Sequence, residues 1–135
     1  ENPRTLKVAE ISNDPPMNIL KGTKNSEKLS FENILINSPS HFKNLSDQSY
    51  NFGIRASEIK LDDQGEEFEI ELAEISGSET LLHLKKGESK VIALIEEVMN
   101  FKIHEKVKIK FNENKLYAFD QNEELVSSPY GVSHG

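Results

Sequence analysis

Two stretches of this 135-residue chain alternate strictly between charged and apolar side chains. Glu67-Phe68-Glu69-Ile70-Glu71-Leu72 places a glutamate at every second position, and Lys106-Val107-Lys108-Ile109-Lys110-Phe111 a lysine. A period of two is the period of a β-strand, whose side chains point alternately to opposite faces. Phe68, Ile70 and Leu72 are therefore expected to share a buried face, with the carboxylates in water. If the two strands pair, the glutamate row stands across from the lysine row, each pair contributing only tenths of a kcal/mol.

The rest of the chain follows the same pattern in shorter pieces. Met17–Leu20, closed by Lys21-Gly22, residues 28–36, Tyr50–Arg55, Glu79–Lys85 and Leu116–Phe119 all read as strands. Residues 90–95 are apolar on both faces, and their β-branched content after a glycine turn favours a strand over a helix. Turns fall at 75–78, 86–88, 112–114 and 120–122, and the polar stretch from Ser38 to Ser49, with Pro39, reads as a loop. Before all of this, Asn2–Ile11 reads as a short helix with Pro3 in its first turn, ended by Pro15-Pro16. Short strands between closely spaced turns predict an all-β fold, an antiparallel sandwich or small barrel. One domain is expected over residues 1–126, with a disordered tail at 127–135.

Composition removes several kinds of function. There is no cysteine, so disulfides, thiolate metal sites and a cysteine nucleophile are excluded. A formal charge of −7 disfavours general nucleic-acid binding, which needs clustered cations. No apolar run approaches the ~18–20 residues that span a bilayer, and no signal peptide is expected at the start. Glu1 stands where an initiator Met would, as expected either of a segment of a longer chain or of a chain whose Met is removed by processing.

Catalytic patterns are missing too. Neither the phosphate-cradling Gly-x4-Gly-Lys-Ser/Thr nor Gly-x-Gly-x-x-Gly occurs. Gly77-Ser78-Glu79-Thr80 has one glycine and lies between two strands, so it reads as a β-turn. His41, His83, His104 and His134 show no ligand spacing. The glutamate and lysine rows are better explained as solvated strand faces than as paired catalytic carboxylates or a nucleic-acid footprint.

Four short strings, in order, resemble one family. Val8-Ala9-Glu10-Ile11 with Pro15-Pro16-Met17-Asn18 is similar to the start of the regulatory domain in ATP-binding subunits of carbohydrate ABC importers. Gly53-Ile54-Arg55 followed by Glu58, then Gly77-Ser78-Glu79-Thr80, then Phe119-Asp120, resemble its later segments. Ala56-Ser57 departs from the single Pro usual before Glu58, His104-Glu105 replaces a Gly-Asp or Gly-Glu, and residues 23–49 match no family string.

The resemblance implies an OB-like antiparallel β-barrel of the transport-associated (TOBE/MOP-like) kind, with a short N-terminal helix. It implies a regulatory and dimerisation role without catalysis in this segment; ATP and Mg belong to the parent subunit, and no cofactor or metal is expected here. Expected partners are the nucleotide-binding domain of the same subunit, a second copy, the membrane subunits indirectly and a regulatory protein, but no nucleic acid. The expected location is cytoplasmic, at the inner face of the membrane. A barrel that binds a small ligand or an oxyanion such as molybdate is the alternative.

Overall fold

The computed structural model of the chain describes residues 15–31 and 34–130. The helix expected over Asn2–Ile11 and the tail histidine His134 lie outside the described residues. Ten strands are described. They are β1 (Met17–Asn25), β2 (Lys28–Phe31), β3 (Ile34–Asn37), β4 (Ser49–Arg55), β5 (Ile59–Ser76), β6 (Glu79–Lys86), β7 (Ser89–Ile95), β8 (Lys106–Phe111), β9 (Tyr117–Phe119) and β10 (Leu125–Ser127).

All pairings are antiparallel, so the all-β reading holds. The strands divide into a six-stranded sheet, β10-β9-β4-β1-β2-β3, and a four-stranded sheet, β7-β6-β5-β8. Among the described residues no ladder joins the two sheets, so the expected barrel is not closed into one continuous sheet.

The main core lies where the sheets face one another. Leu20, Leu29, Phe31, Phe52 and Ile54 from the larger sheet pack with Phe68, Ile70, Leu82, Leu84 and Ile109 from the smaller. Phe52 is the aromatic hub: its ring lies 5.4 Å from Phe31, 5.7 Å from Phe42 and 5.8 Å from Tyr50 between centroids. Residues of opposite parity on β1, β4 and β9 point to the other side of the six-stranded sheet. There Met17, Tyr117, Phe119 and Leu125 make a second, smaller apolar cluster.

Several boundaries differ from the sequence reading. β1 does not stop at Lys21-Gly22; it continues to Asn25, because its pairing with β4 runs unbroken from Met17↔Arg55 to Thr23↔Ser49 and its pairing with β2 takes over to Asn25↔Lys28. The loop at 38–49 contains a 3-10 turn, Ser40–Phe42, that buries Phe42 in the core. Ser127 and Ser128, assigned to a tail, are buried, and Ser127 Oγ donates to the carbonyl of His41 at 2.9 Å. The ring of Tyr130 lies edge-on to Tyr117 with the Lys115 ammonium above it.

Leu72 departs from the alternation that led to it. Phe68 and Ile70 are buried as expected, but Leu72 is 44% exposed. Ile70 pairs with Leu84 and Leu72 with His83, so Glu71 is an extra residue on β5. One extra residue exchanges the two faces of everything beyond it, so Ala73 turns inward and Leu72 outward.

Candidate functional site

Several of the titratable side chains are engaged in local contacts. The predicted rows meet: Glu69 pairs with Lys106 and Glu67 with Lys108 across β5 and β8. Lys106 Nζ lies 3.7 Å from Glu69, and His104 Nδ1 donates to the other oxygen of the same carboxylate at 2.6 Å. The His104 hydrogen bond holds the Glu69 carboxyl below its ordinary pKa, and Lys106 and Lys85 add to the effect. A backbone N–H from Ser26, and then Lys24, do the same to Asp47. His83 Nε2 donates to Glu74 at 2.7 Å, and His41 Nε2 to the carbonyl of Leu116 at 2.7 Å. Among the described residues no group of three or more His, Asp or Glu could hold a metal ion.

The singled-out strings prove to be neighbours in space. Pro15–Asn18 enters β1 beside the end of β4, where Met17 pairs with Arg55 and Asn18 with Ile54. Arg55 donates to the carbonyl of Pro15 at 3.1 Å, and the Ala56 N–H to that of Pro16 at 2.8 Å. Gly53 explains why a residue without a Cβ stands there. A Cβ would come 2.7 Å from Met17 Sδ and 3.2 Å from a ring carbon of Phe119. Three strings, those holding Met17, Gly53 and Phe119, thus meet at one point.

Asn18 links the sheets. Its side-chain amide donates to the carbonyl of Ile92 at 2.8 Å and to that of Ile54 at 3.3 Å, and its oxygen accepts from the Ile92 N–H at 2.7 Å. β7 is an edge strand, and this amide stands where the backbone of a further strand would. A buried side chain of β1 therefore substitutes for a missing ladder.

The remaining string residues hold turns and connections. Glu58 accepts from the Asn112 side chain at 3.1 Å, and its carbonyl from the Asn112 N–H at 3.0 Å, tying the start of β5 to the end of β8. Gly77 and Ser78 form the β5–β6 turn, with Gly77 at φ +61°, in the left-handed region where glycine carries no Cβ penalty. Asp120 accepts from the N–H groups of Asn122 and Glu124 at 2.8 and 3.0 Å, closing the β9–β10 turn. Glu79 faces solvent in a cleft of about 480 Å³, shared with Pro15, Pro16, Ser57, Leu81 and Leu94.

That cleft continues residues the sequence did not single out. Leu81, His83 and Lys85 on β6 and Lys90, Ile92 and Leu94 on β7 share the outer face, between this cleft and one of about 400 Å³ beside Met17 and Ile19. The signal was present as half-apolar alternation in both strands, but only the register shows which residues stand side by side. A polar cleft of about 540 Å³ lies elsewhere, along Lys21, Ser30, Ser49 and Asn51, with Glu123 on its rim.

No protein-family model matches the chain. It is similar to the sn-glycerol-3-phosphate import ATP-binding protein UgpC of Shigella sonnei (strain Ss046), with 28% identity over 126 residues, covering 89% of this chain and 35% of that protein. The UgpC proteins of Escherichia coli O157:H7 and of E. coli strain UTI89 match over the same length at the same identity. The chain spans about a third of the length of these relatives. Over nearly its whole length it is thus a homologue of part of an import ATP-binding protein, and the resemblance drawn from the four strings is borne out.

Proposed function

We propose that the chain is a regulatory and dimerisation domain of the ATP-binding subunit of a carbohydrate or polyol-phosphate importer, without catalysis of its own. The observation that carries this reading is the asymmetry of the match: 89% of this chain, but 35% of the relative. A segment of that proportion is one domain of the relative, and ATP, Mg and the hydrolytic groups belong to the remainder. The subunit works at the cytoplasmic face of the membrane against the transporter's membrane subunits. Two packed sheets clipped together by Asn18 supply what such a domain needs, a stiff body with broad β surfaces.

The purified chain is expected to release no phosphate from Mg–ATP above the buffer rate. It is also expected to give no heat of binding with molybdate or sulfate. Sustained ATP turnover that follows the chain through purification contradicts the non-catalytic reading. Saturable heat with an oxyanion would instead support a ligand-binding barrel, with the cleft beside Lys21 as the place to look.

A further inference from the structure

The outer faces of the two sheets differ in whether their polar side chains are partnered. On the four-stranded sheet they answer one another: Glu69 with His104 and Lys106, Glu71 with Lys90, Glu74 with His83. The six-stranded sheet turns Lys21 and Thr23 of β1, Ser30 of β2, and Ser49 and Asn51 of β4 outward, alternating with residues of the core. Thr23 stands directly across from Ser30 on one side and Ser49 on the other, and Lys21 across from Asn51. Neighbouring strands lie about 4.8 Å apart, so the three hydroxyls form a row roughly 10 Å long beside an amide and an ammonium. Among the described residues none of these five side chains has a hydrogen-bond or ion-pair partner.

These side chains line the polar cleft of about 540 Å³, and the β9–β10 turn builds its rim. Gln121 Nε2 donates to the carbonyl of Ser49 at 2.9 Å, which fastens the turn over the start of β4. The Asp120 carboxylate takes the N–H groups of Asn122 and Glu124, and its carbonyl accepts from the Glu123 N–H at 2.9 Å. Held in this way, Glu123 sits at φ +64°, in the left-handed region that strains a residue with a Cβ. A glycine would make the same turn without that strain, but would bring no carboxylate to the cleft.

The chemistry of this set narrows the ligand. An oxyanion only accepts hydrogen bonds, so its site needs donors and is opposed by a carboxylate. The hydroxyl of a sugar or polyol both donates and accepts, so it needs partners of both kinds. The cleft offers both: Lys21 and the Asn51 amide donate, Glu123 accepts, and the hydroxyls of Thr23, Ser30 and Ser49 do either. One cation and one anion leave it near neutral. We propose that this cleft binds a neutral polyhydroxylated small molecule, a monosaccharide or a linear polyol, along the Ser30–Thr23–Ser49 row. Glu123 accepts from its hydroxyls, and Lys21 and Asn51 donate to them. That this binding signals to the subunit rests on the regulatory function proposed above; the binding itself does not.

Titration of the isotope-labelled chain with glucose, sorbitol, sulfate and molybdate, followed by amide NMR, tests it. Glucose or sorbitol is expected to give saturable shifts at the amides of Thr23, Ser30, Ser49 and Asn51, and sulfate and molybdate none there. Whichever of the two saturates at the lower concentration tells a cyclic sugar from a linear polyol. Thr23→Ala with Asn51→Ala is expected to weaken binding at least about tenfold, because two hydrogen bonds are lost. Both residues face water, so the melting temperature should barely change. Glu123→Gly separates a ligand contact from a structural role: relief of the left-handed strain should raise the melting temperature while binding weakens about fivefold or more. No saturation with glucose or sorbitol, saturable shifts only elsewhere on the chain, or unchanged binding in either variant overturns the site and leaves the importer and regulatory readings standing. Sulfate or molybdate saturating at these amides instead overturns it in favour of an oxyanion-binding barrel.

Discussion

Replacing Phe52 by alanine is expected to lower the stability of the domain by about 4 kcal/mol, the largest loss foreseen for a single core substitution here. Phe52 is fully buried at the centre of the six-stranded sheet and touches the rings of Phe31, Phe42 and Tyr50. Truncation removes the transfer free energy of the ring and leaves a cavity walled by other aromatics, which cannot all move in. Phe31 also faces Phe111 of the other sheet at 6.3 Å, so the loss reaches across the core. Chemical denaturation should show a lower midpoint with little change in slope, and the melting temperature should fall by roughly 10–15 °C. Phe52→Leu keeps most of the volume and should cost about 1.5 kcal/mol. A loss below about 1 kcal/mol for the alanine variant would mean that this ring is not the hub.

Asn18→Leu is expected to cost about 3 kcal/mol, although the two side chains are similar in size. The cost comes from the backbone of β7 rather than from packing. Without the amide, the N–H and carbonyl of Ile92 lose the partners that lie 2.7 and 2.8 Å away. Buried or half-buried groups left unsatisfied carry the full penalty of their lost hydration. Hydrogen exchange separates this from a general loosening: the Ile92 amide should lose protection by more than its β7 neighbours. Asn18→Asp retains the acceptor, so it should keep Ile92 protected while still losing stability. Equal loss of protection along all of β7 in the leucine variant would argue against a local clip.

These two effects differ in how far they could be read from the amino-acid sequence. Phe52 lies in Tyr50–Arg55, a stretch whose strand character follows from its residues alone. Asn18 stood out through its place in a short string, but its partner Ile92 is 74 residues away. Nothing local announces that a side chain there completes the edge of another sheet. The same limit explains Leu72. Alternation placed it inside with Phe68 and Ile70, and only the register against β6 exposes the extra residue that turns it out. β10 escaped notice because three residues, Leu125–Ser127, carry too little periodicity to separate from a turn.

The candidate surface was legible in pieces. Pro15–Asn18, Gly53 and Phe119 belong to strings far apart in the sequence, and their meeting around the missing Cβ of Gly53 is a tertiary fact. The charged rows at 66–71 and 106–110 drew attention because they alternate so strictly. Their lysines and glutamates largely answer one another, through Glu69 with Lys106 and Glu67 with Lys108.

If the chain is, as proposed, a domain of an import ATP-binding subunit, it should be interchangeable with the matched segment of a relative. The most direct measurement replaces the matched segment of the Shigella sonnei sn-glycerol-3-phosphate import protein with this chain. Uptake of sn-glycerol-3-phosphate is then followed in cells that lack their own copy of that subunit. Restored uptake, well above cells carrying the relative with the segment simply deleted, is the predicted result. A chimera that accumulates normally and hydrolyses ATP, yet restores no more uptake than the deletion, would contradict the account.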